Sequence, residues 1–201
     1  MTKAAKTSIE INHLLANRWS PRAFCEKKIS DDLLLKLIEA ARWSPSASNL
    51  QPWYFIIGKK HDATYRKIFE TMVEFNQLWA IHAPILILNC GERTGKDGSE
   101  NQSFRYDVGQ AVAHLTFQAM SDGIYAHQMA GFSKEKAIEL LQIPNNFEPL
   151  TITALGYIGD PSILPSRMQV SEKAERERKP INEIISQDVF GAPASLINKS
   201  K

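Results

Sequence analysis

Cysteine is scarce in this chain: two residues of 201, Cys25 and Cys90, are too few for a disulfide framework, and both are expected to be reduced thiols. No close set of cysteines and histidines has the spacing of a metal site; His13, His61, His82, His114 and His127 are scattered and read as surface or core residues. Long hydrophobic runs are missing too. No stretch approaches the roughly eighteen apolar residues that span a bilayer, and Met1 to Leu15 alternates polar with apolar residues without a continuous hydrophobic stretch. The chain also lacks an excess of either charge: 24 basic against 22 acidic residues leave +2, without the strongly basic balance of a nucleic-acid or membrane-surface binder. There is no Gly-x-Gly-x-x-Gly and no Walker loop, so a dinucleotide would have no Rossmann domain of its own. Ser46 and Ser48 lack a Gly-x-Ser-x-Gly elbow, which argues against a hydrolase nucleophile. These absences lead to the expectation of a cytoplasmic protein with no metal, no nucleic-acid partner and no membrane partner.

What remains is ordinary globular composition, 43% apolar and 23% charged, sufficient for one domain over residues 1–201. Ser30 caps a predicted helix through about Ala41, with Leu33, Leu34, Leu37, Ile38 and Ala41 at helical spacing. Trp53 to Ile57 reads as a strand ending at Gly58, Asp62 to Ile81 as one long helical region, and Ile85 to Leu88 as an apolar strand. Residues 91–102 hold glycines among charges and are expected to form a surface excursion. Arg105 to Met120 is the most helical stretch and the expected central helix. Gly123 ends it, Ile124 to Met129 is the next strand, Ser133 caps a helix through Leu141, and Leu150 to Ile158 is the last strand. Beyond Gly159 the chain is rich in proline and serine, Ser171 to Arg178 reads as a solvated charge run, and about 186–201 as a C-terminal extension. Trp43, Phe55, Phe69, Phe75 and Trp79 are expected to fill the core or a dimer contact. This alternation gives α+β or α/β, and pattern alone does not choose.

Two segments carry chemistry. In Asn17-Arg18-Trp19-Ser20-Pro21-Arg22-Ala23-Phe24 an extended backbone would project Arg18, Ser20 and Arg22 from one side, and two guanidinium forks with a hydroxyl suit a phosphate monoester. The competing reading is a solvated pair or a salt bridge to Asp31 or Asp32. In Ser44-Pro45-Ser46-Ala47-Ser48-Asn49-Leu50-Gln51-Pro52-Trp53, small polar residues between a helix and a strand leave backbone amides free to face a ligand, although Asn49 and Gln51 also suit a plain turn.

With Met129-Ala130-Gly131-Phe132, Gly156-Tyr157-Ile158-Gly159-Asp160-Pro161 and Arg178-Lys179-Pro180, these segments occur in an order that resembles the FMN-dependent nitroreductase family over roughly residues 10 to 186. The resemblance implies an α+β fold: a central mixed sheet wrapped by helices, an extensive homodimer, and FMN at the interface. It places the phosphate at Arg18, Ser20 and Arg22, with Trp19 standing where relatives are often polar. Arg178 matches the basic residue that returns to the phosphate, and Arg176 and Lys179 are weaker candidates. Pro45, Ser46, Ala47, Ser48, Asn49, Gln51, Gln110, Met129, Ala130 and Gly131 are implied as walls of the ring site, with Asn76 approaching from the long helix. Charge-assisted bonds of about 1.5 to 3 kcal/mol each cannot by themselves offset an association cost of about 4 to 15 kcal/mol, so ring burial must contribute. No side chain is implied as catalytic, since the redox chemistry belongs to the cofactor. NAD(P)H is the implied transient donor and a nitroaromatic or quinone the acceptor, by a ping-pong mechanism. A flavin reductase, another flavin dehydrogenase of the family and a non-catalytic FMN-binding module are the alternatives.

Overall fold

Asn12 accepts the Leu14 N–H and opens a short helix, α1 (His13–Asn17), in the computed structural model, which describes residues 3–196. Ser30 does the same for α2 (Asp31–Arg42), whose Leu34, Leu37 and Ala41 turn inward as their spacing predicts. The chain continues through β1 (Trp53–Lys59), α3 (Ala63–Thr71), α4 (Glu74–Ala80), β2 (Ile85–Glu92), α5 (Phe104–Ser121), β3 (Tyr125–Met129), α6 (Lys134–Leu141), β4 (Phe147–Gly156) and α7 (Ser166–Lys173).

The sheet runs β1-β2-β4-β3, and every pairing within the described residues is antiparallel. Strand β2 is buried on both faces, which is why it reads as a continuous apolar run. Its Ile85 and Ile87 pack with α2 and α5, while Leu86 and Leu88 pack with Tyr65, Ile68 and Trp79 of α3 and α4 and Ala137 of α6. Helices therefore cover both faces, the wrapped α+β sheet that the resemblance implied. Strand β4 begins earlier than its apolar pattern suggests, because Pro149 sits opposite Cys90 where a bulge shifts the register.

Two expectations need correction. The helical region from Asp62 to Ile81 is broken: Met72 and Val73 are extended, Met72 pairs with Phe132, and the Val73 N–H donates to the Gly131 carbonyl at 3.1 Å. Tertiary pairing at the break offsets the lost helical bonds without any Gly or Pro to announce it. The solvated charge run is also only partly that, since the end of α7 reaches into it and buries Glu172. Of the aromatic residues, Trp79 is core, but Trp43 and Phe75 are exposed. At 91–102, β2 runs on through Glu92 and a turn follows, closed by a bridge between Thr94 and Glu100. Of the expected C-terminal extension, 197–201 lies outside the described residues. No helix among the described residues is long and apolar enough to cross a membrane.

Candidate functional site

At the end of α1 the backbone extends at Arg18, and its guanidinium donates to the Ser20 hydroxyl at 3.2 Å, as the alternating spacing predicts. The chain's far end returns to the same place. Arg176 donates to the carbonyls of Ala16 and Arg18, and Arg18, Arg176, Arg178 and Lys179 line one cleft of about 890 Å³. Burial, and next the charges of Arg176 and Arg178, hold the Arg18 pKa below its usual value. Among the described residues no acidic side chain pairs with Arg18, Arg22, Arg176 or Arg178. Asp31, the alternative partner considered from sequence, pairs with Lys59 at 2.5 Å. The result is a cationic cleft whose repulsion an anion would relieve.

Arg22 points elsewhere. Its guanidinium lies 6.0 Å from the centre of the Phe75 ring, and its Nε is buried without a partner. Its main chain is held by Glu172, 1% exposed on α7, whose Oε1 accepts the N–H groups of Arg22 at 2.8 Å and Ala23 at 3.0 Å. Trp19 is buried edge-on to Tyr125 with the Lys3 ammonium over its ring, so its indole faces the interior.

Behind this segment His127 donates from Nδ1 to the Pro21 carbonyl at 2.9 Å and lies tilted by 31° against Trp79, ring centres 4.4 Å apart. Burial pushes its pKa down to about 4, against the opposing pull of the Pro21 carbonyl, with Arg22 and Arg18 adding to the depression. The unfolded chain, with an ordinary imidazole near 6.5, binds the proton first as pH falls. Stability is therefore expected to fall between about pH 6.5 and pH 4, by up to about 3 kcal/mol at about 1.4 kcal/mol per pH unit. Urea titrations across that window should show the loss in the wild type and a flatter profile in His127→Gln; equal slopes would exclude this role.

The second segment forms a tight turn, Ala47–Asn49, leading into β1. Ser48, Asn49 and Gln51 have φ of 49°, 53° and 52°, left-handed backbone at residues that are not glycine. The anchor is Asp107, buried on α5, whose Oδ2 accepts the Ala47 N–H at 3.1 Å. Ser46 Oγ accepts the Gln51 N–H at 3.0 Å, and Ser44 Oγ lies 2.5 Å from His114 Nδ1. Pro45, Ala47, Ser48, Asn49 and Gln51 are exposed and Ser46 is half-buried. Gln110 is half-buried on α5, its carbonyl 3.0 Å from His114 Nδ1. No hydrogen bond joins this loop to the arginine segment within the described residues of one chain.

The third segment follows β3. Met129 is buried, Ala130 is exposed, and the Gly131 carbonyl accepts both the Val73 N–H and Asn76 Nδ2, the latter at 3.0 Å. A Cβ at Gly131 would lie 2.6 Å from Asn76 Nδ2, so glycine is what lets the turn close on α4. Asn76, buried next to Phe75, thus braces this wall.

The sequence model of the Nitroreductase family matches residues 15–157, which contain the arginine segment, the Ser44 to Trp53 loop and the Met129 to Phe132 turn, while the returning arm from Glu172 to Lys179 lies beyond it. The chain belongs to this family. It is 31% identical to a crystal structure described as the oxidoreductase containing FMN, with a TM-score of 0.89 over 94% of this chain and 96% of that one. It is 29% identical to an uncharacterized 15.4 kDa protein of Mycolicibacterium smegmatis over 69% of this chain and 98% of that protein. It is also 40% identical to the major NAD(P)H-flavin oxidoreductase of Aliivibrio fischeri, over 33% of this chain and 32% of that one.

In this nitroreductase-family chain the structure gathers Arg18, Arg176 and Arg178 at one cleft, with Ser20 bonded to Arg18, and Arg22, Asn76 and Gly131 around α4. Pro45 to Gln51 and Gln110 form no hydrogen bond to either group among the described residues. Sequence reasoning missed Asp107 and Glu172. Asp107 gave a signal, an acid on the apolar stripe of α5 between Phe104 and Ala111; Glu172 gave none in its charged surroundings.

Proposed function

We propose that this chain is a flavoprotein oxidoreductase that holds FMN and uses NAD(P)H to reduce electron-poor acceptors such as nitroaromatics or quinones, working as a homodimer in the cytoplasm. The observation that carries the reading is the cleft where Arg18, Arg176 and Arg178 converge with no acidic partner. The donor set fits the cofactor. Arg18 and Ser20 offer a fork and a hydroxyl to a phosphate, and Arg178 adds charge from the returning arm. Arg176 has spent its terminal nitrogens on the Ala16 and Arg18 carbonyls, so its part is to fix the main chain that presents Arg18. The wall of Met129 to Gly131, braced by Asn76, suits an aromatic face. Arg22, whose buried Nε lacks a partner, turns its guanidinium toward Phe75, the neighbour of Asn76, and would supply positive charge there. A bound FMN supplies two-electron carrier chemistry between nicotinamide and acceptor, and no side-chain nucleophile is needed. Donor and acceptor share one pocket in turn, and double-reciprocal plots should be parallel.

The decisive measurement is the visible spectrum of the purified protein with mass analysis of what heat releases. A yellow protein with about one FMN per chain is expected. A colourless protein that also refuses added FMN would overturn the proposal, and FAD would show the phosphate end to be misread. Arg18→Ala and Arg22→Ala should each weaken FMN binding about ten- to hundredfold, the equivalent of losing one charge-assisted bond, with the circular dichroism spectrum intact. Unchanged affinity in a folded variant would remove that arginine from the site.

A further inference from the structure

α4 presents more than Asn76 to its surroundings. Phe75, the preceding residue, is 42% exposed, with Val73 and Leu78 exposed beside it. Two guanidiniums flank its ring: Arg22 at 6.0 Å and Arg167, from the start of α7, at 5.7 Å. Arg167 is exposed and forms no ion pair among the described residues. A guanidinium set against an aromatic ring is oriented by it while its N–H fork stays free to take an anion. The site wall thus borders an apolar aromatic surface with an uncommitted cationic fork. That surface matches an aromatic substrate bearing an anionic group.

We propose that Phe75 and Arg167 form a specificity rim at which substrates enter, favouring aromatic molecules with an anionic substituent. The inference rests on the proposed flavin oxidoreductase reading and deepens it by naming a substrate class. The ring contacts the flat face of the incoming molecule and Arg167 pairs with its charge. The anion has two sources, a carboxylate on the acceptor or the additional phosphate of NADPH relative to NADH, and matched substrate pairs tell them apart.

The test compares wild type with Arg167→Ala, each loaded with FMN. In the acceptor arm, kcat/KM is measured for 4-nitrobenzoate and its neutral analogue 4-nitrobenzamide, and in the donor arm for NADPH and NADH. Benzoate and benzamide are also titrated against the visible flavin band of the resting holoprotein, which reads binding without turnover. Wild type is expected to favour the anionic member of a pair by about tenfold at low ionic strength, and Arg167→Ala to lose most of that preference. Arg167→Lys, which keeps the charge but not the planar fork, should fall between them. Loss in the acceptor arm with weakened benzoate binding assigns the rim to the acceptor, and loss in the donor arm assigns it to the nicotinamide phosphate. FMN-loaded proteins whose ratios are the same with and without Arg167 in both arms overturn the rim and leave the flavin reading standing. A protein that neither contains nor takes up FMN overturns both.

Discussion

Glu172→Ala is expected to destabilise the protein by about 2 to 5 kcal/mol, a large part of the 5 to 15 kcal/mol typical of a domain, and to abolish retention of the cofactor. The carboxylate is almost fully buried, and its Oε1 is the acceptor for two successive backbone N–H groups, those of Arg22 and Ala23. Ala23 is fully buried and the next residue, Phe24, bridges to Ile158, so the stranded donors cannot turn to water without pulling the arginine segment out of the core. The site suffers with the fold because Arg22 hangs on that main chain. Glu172→Gln keeps an acceptor oxygen for both donors and should recover most of the stability. Urea denaturation midpoints and FMN content of the three proteins check this together. If Glu172→Ala unfolds at the wild-type midpoint, the carboxylate does not hold the segment.

The order Glu172 to Arg22 to site shows where sequence reading stops. The Arg18–Ser20 pairing was legible because its chemistry is local: a guanidinium and a hydroxyl two positions apart meet on one side of an extended backbone. The caps at Ser30 and Ser133 and the doubly buried β2 were legible for the same reason, since each depends on a few neighbouring residues. Arg22 keeps to the pattern in its backbone but turns its side chain to Phe75, a choice made by α4 and not by its neighbours. The break at Met72 is invisible to periodicity, because the pairing with Phe132 that offsets it lies far along the chain. Asp107 meets Ala47 across 60 positions and Glu172 meets Arg22 across 150, and neither partner carries a mark of the other. The left-handed backbone at Ser48, Asn49 and Gln51 falls where propensity alone would place glycine, so residue type does not announce it.

Chains carrying Arg18→Ala with Arg22→Ala, mixed with chains carrying Asn49→Ala, should recover activity that neither parent has. Among the described residues of one chain the arginine segment and the Pro45 to Asn49 loop share no hydrogen bond, although each has the features of a ligand site. The proposed homodimer reconciles them if each flavin takes its phosphate grip from one subunit and its loop from the other. A mixed dimer then holds one intact site and one site damaged at both ends. Random pairing makes about half the dimers mixed, each with one of two sites working, so the mixture should reach about a quarter of wild-type turnover while each parent is nearly inactive. The subunits are co-expressed with different affinity tags, and the doubly tagged dimers are purified before assay, so that failure to exchange is not mistaken for failure to complement. Purified mixed dimers should then show about half of wild-type turnover and bind about one flavin per two chains. If they stay as inactive as their parents while both parents remain folded, loop and arginines serve the same chain's flavin, and the shared-site arrangement is wrong.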